Sequence, residues 1–353
     1  MDLNCLLKEM KDRGASDLHL VARISPMFRI DGALKRLDEG ILTDKETKSL
    51  IYSFIDEKQT AEFEKNHELD FSFGKPGLGR FRANVHFQRG SIAAAIRRIP
   101  DRVPSLSELN LPPILAELAL KEKGLVLVTG PSGCGKSTTL AVMIKIINEQ
   151  RSVHIITIED PIEYLHSHNK SIVEQREVGS DTFSFADSLK RCLRQDPDVI
   201  MIGEMRDLET IATAITAAET GHLVLATLHT PNAPEAVNRI VDVFPPYQQT
   251  QIKIELSSTL QGIIAQVLLP KKDTQGRVPA VELLIATSAV KNLIRTGKSH
   301  QLWTSMQTGS QFGMQTMDEA LKDLISRGIV SFEVASVKAR DRATFEKDFS
   351  VRP

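Results

Sequence analysis

The stretch GLVLVTGPSGCGKS, from Gly124 to Ser137, decides the fold. An apolar, β-rich run, Leu125 to Val128, enters Gly130-Pro131-Ser132-Gly133-Cys134-Gly135-Lys136-Ser137, and TTLAVMIKIINEQ follows with helical periodicity. Strand, glycine-rich loop and helix in that order give the GxxxxGK[ST] pattern the context it requires. Glycines let consecutive backbone N–H groups curl round an oxyanion without Cβ clashes, and the helix N-terminus adds partial positive charge. We therefore assign Gly130, Ser132, Gly133, Cys134, Gly135, Lys136, Ser137 and Thr138 to a nucleotide phosphate site. Lys136 is expected to reach the β- and γ-phosphates, and the Ser137 hydroxyl to ligate Mg²⁺. The bland alternative is a chance glycine turn before a helix, and the complete motif argues against it. Cys134 fills a variable position of the motif, so a small space-filling side chain is a better reading than a catalytic thiol.

A nucleotide hydrolase also needs acids to hold the metal and orient water. Two apolar runs end in them. Val153 to Ile158 leads into Glu159, Asp160 and Glu163, and Val199 to Ile202 leads into Gly203-Glu204. In doubly wound sheets ligands gather at the carboxyl ends of the strands, which is where these acids fall. Either cluster alone reads as a loop or capping acid; two of them downstream of a phosphate loop favour chemistry. A further run, Leu223 to Leu228, lies between His222 and His229. Two residues at opposite ends of one strand cannot meet the same phosphate. His229, at the carboxyl end, is the site candidate, and His222 is expected to couple neighbouring elements or to touch an adjacent subunit.

Upstream, Pro100, Pro104, Pro112 and Pro113 place four of the chain's 16 prolines within IPDRVPSLSELNLPP. Proline neither continues a helix nor donates to a ladder, so this reads as a stiff connector. The expected division is an N-terminal domain over residues 1–99, a linker over 100–113 and a strand–helix alternating domain over 114–353. The N-terminal part shows an amphipathic helix, short strands in ASDLHLVA and SPMFRIDGAL, one helix from about Thr43 to Asn66, and more strands. Its segment from Phe71 to Pro100 contains no Asp or Glu but carries Lys75, Arg80, Arg82, Arg89, Arg97 and Arg98. In GRFRANVHFQ, Phe81, Ala83, Val85 and Phe87 alternate with polar residues, the period of a half-covered strand. Arg89-Gly90-Ser91 is the expected turn and SIAAAIRRI the returning strand. The outer face is either plainly solvated or a cationic surface aimed at phosphates.

Composition sets the limits. The 353 residues carry 44 Lys plus Arg against 45 Asp plus Glu, with 41% hydrophobic residues. Balanced charge disfavours a nucleic-acid coat. No apolar run approaches the roughly 18 residues of a membrane span, and the N-terminus does not read as a signal peptide. Cys5, Cys134 and Cys192 form no CxxC pair, so neither a zinc module nor a disulfide framework is expected. The expected setting is cytoplasmic.

Taken together, these blocks resemble the secretion ATPase superfamily of RecA-like hexameric motors, and within it the PilT-type retraction ATPases of type IV pili. ASDLHL, the Walker A loop, TIEDPIEY, IMIGEMRD, TGHLVLATLHT, NRIVDVFPP, KNLIRTGKSHQ and GMQTMDEAL occur in the family's order across essentially the whole chain. The resemblance implies an α/β fold: a RecA-like P-loop core with a C-terminal helical region, preceded by an α+β, PAS-like domain. It implies a homohexamer with nucleotide bound between the domains, ATP and Mg²⁺ as cofactors, and a type IV pilus inner-membrane platform protein as partner. The expected location is peripheral to the inner membrane, with no direct nucleic-acid contact. By resemblance Glu163 is the general base, Glu204 assists Mg²⁺ through water, and Arg82 and Arg97 close on the phosphates; the choice between Arg97 and Arg98 stays open.

Two departures stand out. Gly203 occupies the place of the usual Walker B aspartate, a feature the family shares. Ala289-Val290-Lys291 replaces the Ala-Ile-Arg that opens the family's retraction signature, and Arg and Lys are not equivalent in bidentate contacts. Within the family the alternatives are a pilus-extension or type II secretion ATPase and an accessory retraction paralogue. The former carry a further N-terminal domain and usually a four-cysteine module, whereas this chain starts almost directly at ASDLHL. Outside it, a nucleic-acid translocase is opposed by three Tyr and one Trp, too few for base stacking. A non-hydrolysing ATP-binding scaffold is separable by phosphate release.

Overall fold

Leu18 and Leu20 are buried among apolar residues while Asp17 and His19 lie on the opposite face, the period-two alternation of a strand, with Asp17 also buried. The computed structural model describes residues 2–30, 32–100, 102–274, 276–340 and 342–350. The chain forms two compact units, Met1–Arg102 with Glu163–Leu165, and Val103–Ile162 with His166–Pro353.

The first unit contains α1 (Leu3–Asp12), β1 (Asp17–Leu20), β2 (Met27–Ile30), β3 (Ala33–Arg36), α2 (Asp44–Tyr52), α3 (Glu57–Asn66), β4 (Glu68–Lys75), β5 (Gly79–Gln88) and β6 (Ser91–Ile99). Its strands form an antiparallel sheet in the order β3-β2-β1-β6-β5-β4. Leu6, Leu7 and Met10 of α1, Ile51 of α2 and Phe63 of α3 bury against Phe81, Ala83 and Val85 of β5. The turn expected at Arg89-Gly90 is present, with both residues at positive φ and Gln88 paired with Ser91. The single helix expected from Thr43 to Asn66 is instead two. Each has its own capping box: Thr43 with Glu46, and Asp56 with Gln59, where the Gln59 N–H donates to Asp56 Oδ1 at 2.8 Å. The second box starts a new helix where the apolar pattern alone runs on.

The second unit contains α4 (Ile114–Ala119), β7 (Gly124–Thr129), α5 (Lys136–Gln150), β8 (His154–Glu159), β9 (Ile172–Glu177), α6 (Phe185–Cys192), β10 (Val199–Ile202), α7 (Leu208–Glu219), β11 (Leu223–Leu228), α8 (Ala233–Asp242), α9 (Pro246–Thr259), β12 (Leu260–Pro270), β13 (Arg277–Ile285), α10 (Ser288–Arg295), α11 (Leu302–Thr308), α12 (Met317–Ser326), α13 (Phe332–Ser336) and α14 (Arg342–Ser350). The sheet order is β13-β12-β7-β11-β10-β8-β9, parallel throughout except for β13 at the edge. Central strands buried on both faces explain the continuous apolar runs in the sequence. Leu125, Leu127, Ile200 and Ile202 pack on one side with α7 to α11; Val126, Val128, Val199 and Met201 pack on the other with α4 and α5. The proline-rich stretch joins this packing from Val103 onward: Val103 and Leu111 are buried, and the Lys145 ammonium donates to the Val103 carbonyl at 2.9 Å. No helix among the described residues is long and apolar enough to cross a membrane.

Candidate functional site

β7 delivers the chain into the glycine loop at the centre of the sheet. Gly130 sits at φ 142°, and a Cβ there would lie 2.3 Å from the Gln266 carbonyl oxygen and 2.7 Å from Cys134 Sγ. No other residue fits. Gly133 and Gly135 also have positive φ, and Gly135 caps α5, so the loop turns directly into the helix. Lys136 is buried, and its ammonium donates to the carbonyl oxygens of Gly130 at 2.8 Å and Pro131 at 3.1 Å. Ser132 and Gly133 are exposed at the loop tip, with Ser137 and Thr138 half-buried at the helix start. Cys134 is buried, and that burial pushes its thiol up. It is packing, not a nucleophile.

Parallel register then aligns the neighbouring strand ends. Leu228 of β11 pairs with Thr129 of β7, and Ala226 pairs with Ile202 of β10. His229 and Glu204 therefore emerge side by side, with His229 Nε2 3.0 Å from Glu204 Oε1. Arg206 holds the same carboxylate at both oxygens, Nε to Oε1 at 2.6 Å and Nη2 to Oε2 at 2.7 Å. Burial pushes Glu204 up, but the Arg206 hydrogen bond and the His229 and Arg206 charges outweigh it and hold the carboxyl below its ordinary value. Backbone and hydroxyl ties fix these strand ends. Thr227 Oγ1 donates to the Gly203 carbonyl at 2.5 Å, and Thr129 Oγ1 to that of Thr230 at 2.5 Å. Gly203 is where it is for packing reasons: a Cβ would stand 3.1 Å from the Ile158 carbonyl oxygen and 3.3 Å from Glu159 Cα.

The remaining candidates are distributed differently. Glu159 is buried and consumed by Thr157 Oγ1 at 2.6 Å and Gln175 Nε2 at 3.0 Å. Glu163 is exposed and belongs, with Tyr164 and Leu165, to the first unit. Arg82 and Arg97 are direct cross-strand partners on β5 and β6, so they share a face of the first unit's sheet; Arg98 has the opposite parity. Asp17, opposite Arg97 on β1, accepts from its Nε at 2.7 Å. His222 couples elements as expected: its Nδ1 lies 2.9 Å from the Ala217 carbonyl oxygen at the turn from α7 into β11.

Sequence reading missed several polar residues. Asp17 sits inside the quoted ASDLHL block without having been given a task. Glu177 accepts from the Ile162 N–H at 3.0 Å and so anchors the stretch leading to Glu163. Glu282 of β13 accepts from the Ala233 N–H at 2.8 Å and from Met317 N–H, at the starts of α8 and α12; burial pushes its carboxyl up. It borders a cavity of about 690 Å³ beside the loop, also lined by Pro131, His229, Trp303 and Arg340, the last stacked 4.1 Å over the Trp303 ring. Gln266 of β12 is buried against the loop. Gln266 and Glu282 are polar residues inside apolar strand runs, a signal the sequence carries, whereas Asp17 and Glu177 stand among other polar residues and carry none.

A parallel sheet with a phosphate loop on its central strand, and an acid and a histidine on the next two strand ends, defines a P-loop nucleotide-binding protein with a RecA-like core. Residues 104–337 match the family model for type II/IV secretion system proteins. The chain is 47% identical to the type IV pilus retraction ATPase PilT of Pseudomonas aeruginosa, over 96% of this chain and 98% of that protein. It is 46% identical to a twitching motility protein of Neisseria gonorrhoeae, over 91% and 86% of the two chains. A crystal structure of the pilus retraction motor PilT with bound ADP superposes with a TM-score of 0.92 at 52% identity, covering 98% of this chain and 99% of that one. The chain belongs to the type II/IV secretion system protein family.

Proposed function

We propose that this chain is an ATPase motor that forms a homohexameric ring and drives type IV pilus retraction, and with it twitching motility. What carries this reading is the buried Lys136 loop beside the Glu204–His229 pair, in a chain whose likeness to retraction ATPases extends over nearly its full length. ATP would lie with its phosphates in the Gly130–Thr138 loop, Lys136 moving from the loop carbonyls to the β- and γ-oxygens. The donor set suits Mg²⁺: the Ser137 hydroxyl as a direct ligand and the Glu204 carboxylate placed to hold one of its waters. Mg²⁺ keeps several waters and binds through one or two protein oxygens plus phosphates. When bound, it would neutralise charge developing on the phosphates.

Glu163 is proposed to polarise the attacking water. His229 would orient Glu204 towards the metal's water shell. Arg82 and Arg97 would stabilise transferred phosphoryl charge: as direct cross-strand partners they present two guanidinium groups on one face of the first unit's sheet, Arg97 held in place by Asp17. The division into residues 1–99, a linker over 100–113 and a catalytic domain over 114–353 belongs to the same reading. So do a cytoplasmic location at the inner membrane and a pilus platform protein as partner.

Phosphate release by full-length wild type, Lys136→Ala and Glu163→Gln, with and without Mg²⁺, tests the site. Wild type should turn over only with Mg²⁺, and Lys136→Ala should fall to background. Glu163→Gln should retain nucleotide binding while turnover drops about 10²-fold or more. Near wild-type turnover by Lys136→Ala would place the chemistry elsewhere.

A further inference from the structure

Gln266 belongs to none of the motif blocks, yet it touches the phosphate loop at three points. Ala265 of β12 pairs with Thr129, the last residue of β7, so Gln266 lies beside Gly130 where the loop begins. Its main-chain carbonyl oxygen is the atom that excludes a Cβ at Gly130, and its Nε2 stands 3.2 Å from where a Gly135 Cβ would be. Its side chain, 1% exposed, donates from Nε2 to the Cys134 carbonyl at 2.6 Å. Thr139, one turn into α5, donates from Oγ1 to Gln266 Oε1 at 2.8 Å, which fixes which end of the amide faces the loop.

The consequence follows from peptide geometry. In a trans peptide the C=O and the following N–H point in opposite directions. Holding the Cys134 carbonyl towards β12 therefore turns the Gly135 N–H away from it. A phosphate loop binds through such N–H groups, and Gly135 on one side of this peptide lowers its resistance to rotation. A carbonyl rotated inward would present a partial negative charge to the anion.

We propose that Gln266 is a positioning residue of the nucleotide site: its amide, clamped by Thr139, sets the orientation of the Cys134–Gly135 peptide and thereby the affinity of the loop for phosphate. This rests on the reading of the loop as a nucleotide site. The isosteric Gln266→Glu keeps the acceptor for Thr139 but puts a carboxylate oxygen where the donor to Cys134 stood, adding a negative charge, so the charge-neutral Thr139 pair isolates the amide's own role. Thr139→Val removes the clamp, whereas Thr139→Ser retains its hydroxyl.

Titration of full-length variants with fluorescent methylanthraniloyl-ADP, beside their melting temperatures, makes the test. Gln266→Glu should bind about tenfold more weakly or worse, since the Cys134 carbonyl loses the Gln266 donor and faces a carboxylate instead. Thr139→Val should weaken binding in the same direction and Thr139→Ser should restore it. Leu321→Ala, a buried change in α12, should lower the melting temperature while leaving affinity within about twofold of wild type. Wild-type affinity in Gln266→Glu, or a loss no greater than that of Leu321→Ala, would overturn the proposal. If Gln266→Glu does not fold, the Thr139 pair decides by the same criterion: equal affinity of Thr139→Val and Thr139→Ser overturns it. Lys136→Ala runs alongside; if it binds the probe unchanged, the failure lies with the nucleotide site itself.

Discussion

Glu204 is held by Arg206 at both oxygens and by His229 at one, and only the sum of these contacts overcomes the cost of its partial burial. Its folded-state pKa lies below the unfolded value. The pairing therefore stabilises the fold above the ordinary carboxyl range, near pH ~4.3, and is lost as pH falls through the lower folded value. Arg206 and His229 are substantially exposed, so solvent screens the pair and the effect is modest. Glu204→Gln should cost about 1 kcal/mol at neutral pH. The gap between variant and wild-type melting temperatures should close in acid. A gap unchanged from neutral to acid pH would show that ionisation of Glu204 is not what the two cations stabilise. The same residue scale explains Gly203. The backbone of β8 crowds that position, so the first acidic side chain after β10 is that of Glu204, two places beyond the strand's end.

At the scale of elements, β12 and β13 connect the loop with a distant surface. β12 touches the loop at Gln266. At the far end of the hairpin Gly262 pairs with Ile285, α9 enters β12, and α10 follows β13. Val290 and Ile294 of α10 are buried in the core and Leu293 packs against it, so AVKNLIRTGKSHQ begins as a helix docked on the core. Its charged residues stay outside this core: the Lys291 ammonium reaches the Ser258 carbonyl at 3.5 Å, and Arg295 reaches Asn292 Oδ1 at 2.9 Å. Neither contact is essential to the packing. The double variant Lys291→Ala, Arg295→Ala should therefore stay within about 1 kcal/mol of wild-type stability and keep most of its ATPase activity. It is expected to fail in restoring twitching to a retraction-deficient cell. Normal motility would remove α10 from the coupling path, and joint loss of turnover and motility would reduce it to structure.

At the scale of the whole molecule, the parallel core was legible because its strands are buried on both faces: Leu125–Val128, Val199–Ile202 and Leu223–Leu228 announce themselves as unbroken apolar runs. The phosphate loop was legible because its chemistry is local, all within one turn. What escaped was set by long-range register. Gln266 and Glu282 look like interruptions of apolar strands until β12 is set beside β7 and β13 beside β12, and Asp17 has no evident task until β1 is paired with β6. The break at Ser53–Asp56 escaped for a different reason: capping at Asp56 outweighs an apolar spacing that continues through it. Glu163 shows the same limit, since its sequence block is continuous while the folded chain assigns it to the first unit.

The proposal of an ATPase that works as a six-chain ring is tested by measuring Mg²⁺-dependent ATP turnover per chain against protein concentration, with solution mass recorded on the same samples. Turnover per chain should be low where the chain is monomeric and rise with the appearance of the six-chain species, levelling off once assembly is complete. Full turnover per chain in samples whose mass is that of a monomer would contradict the account.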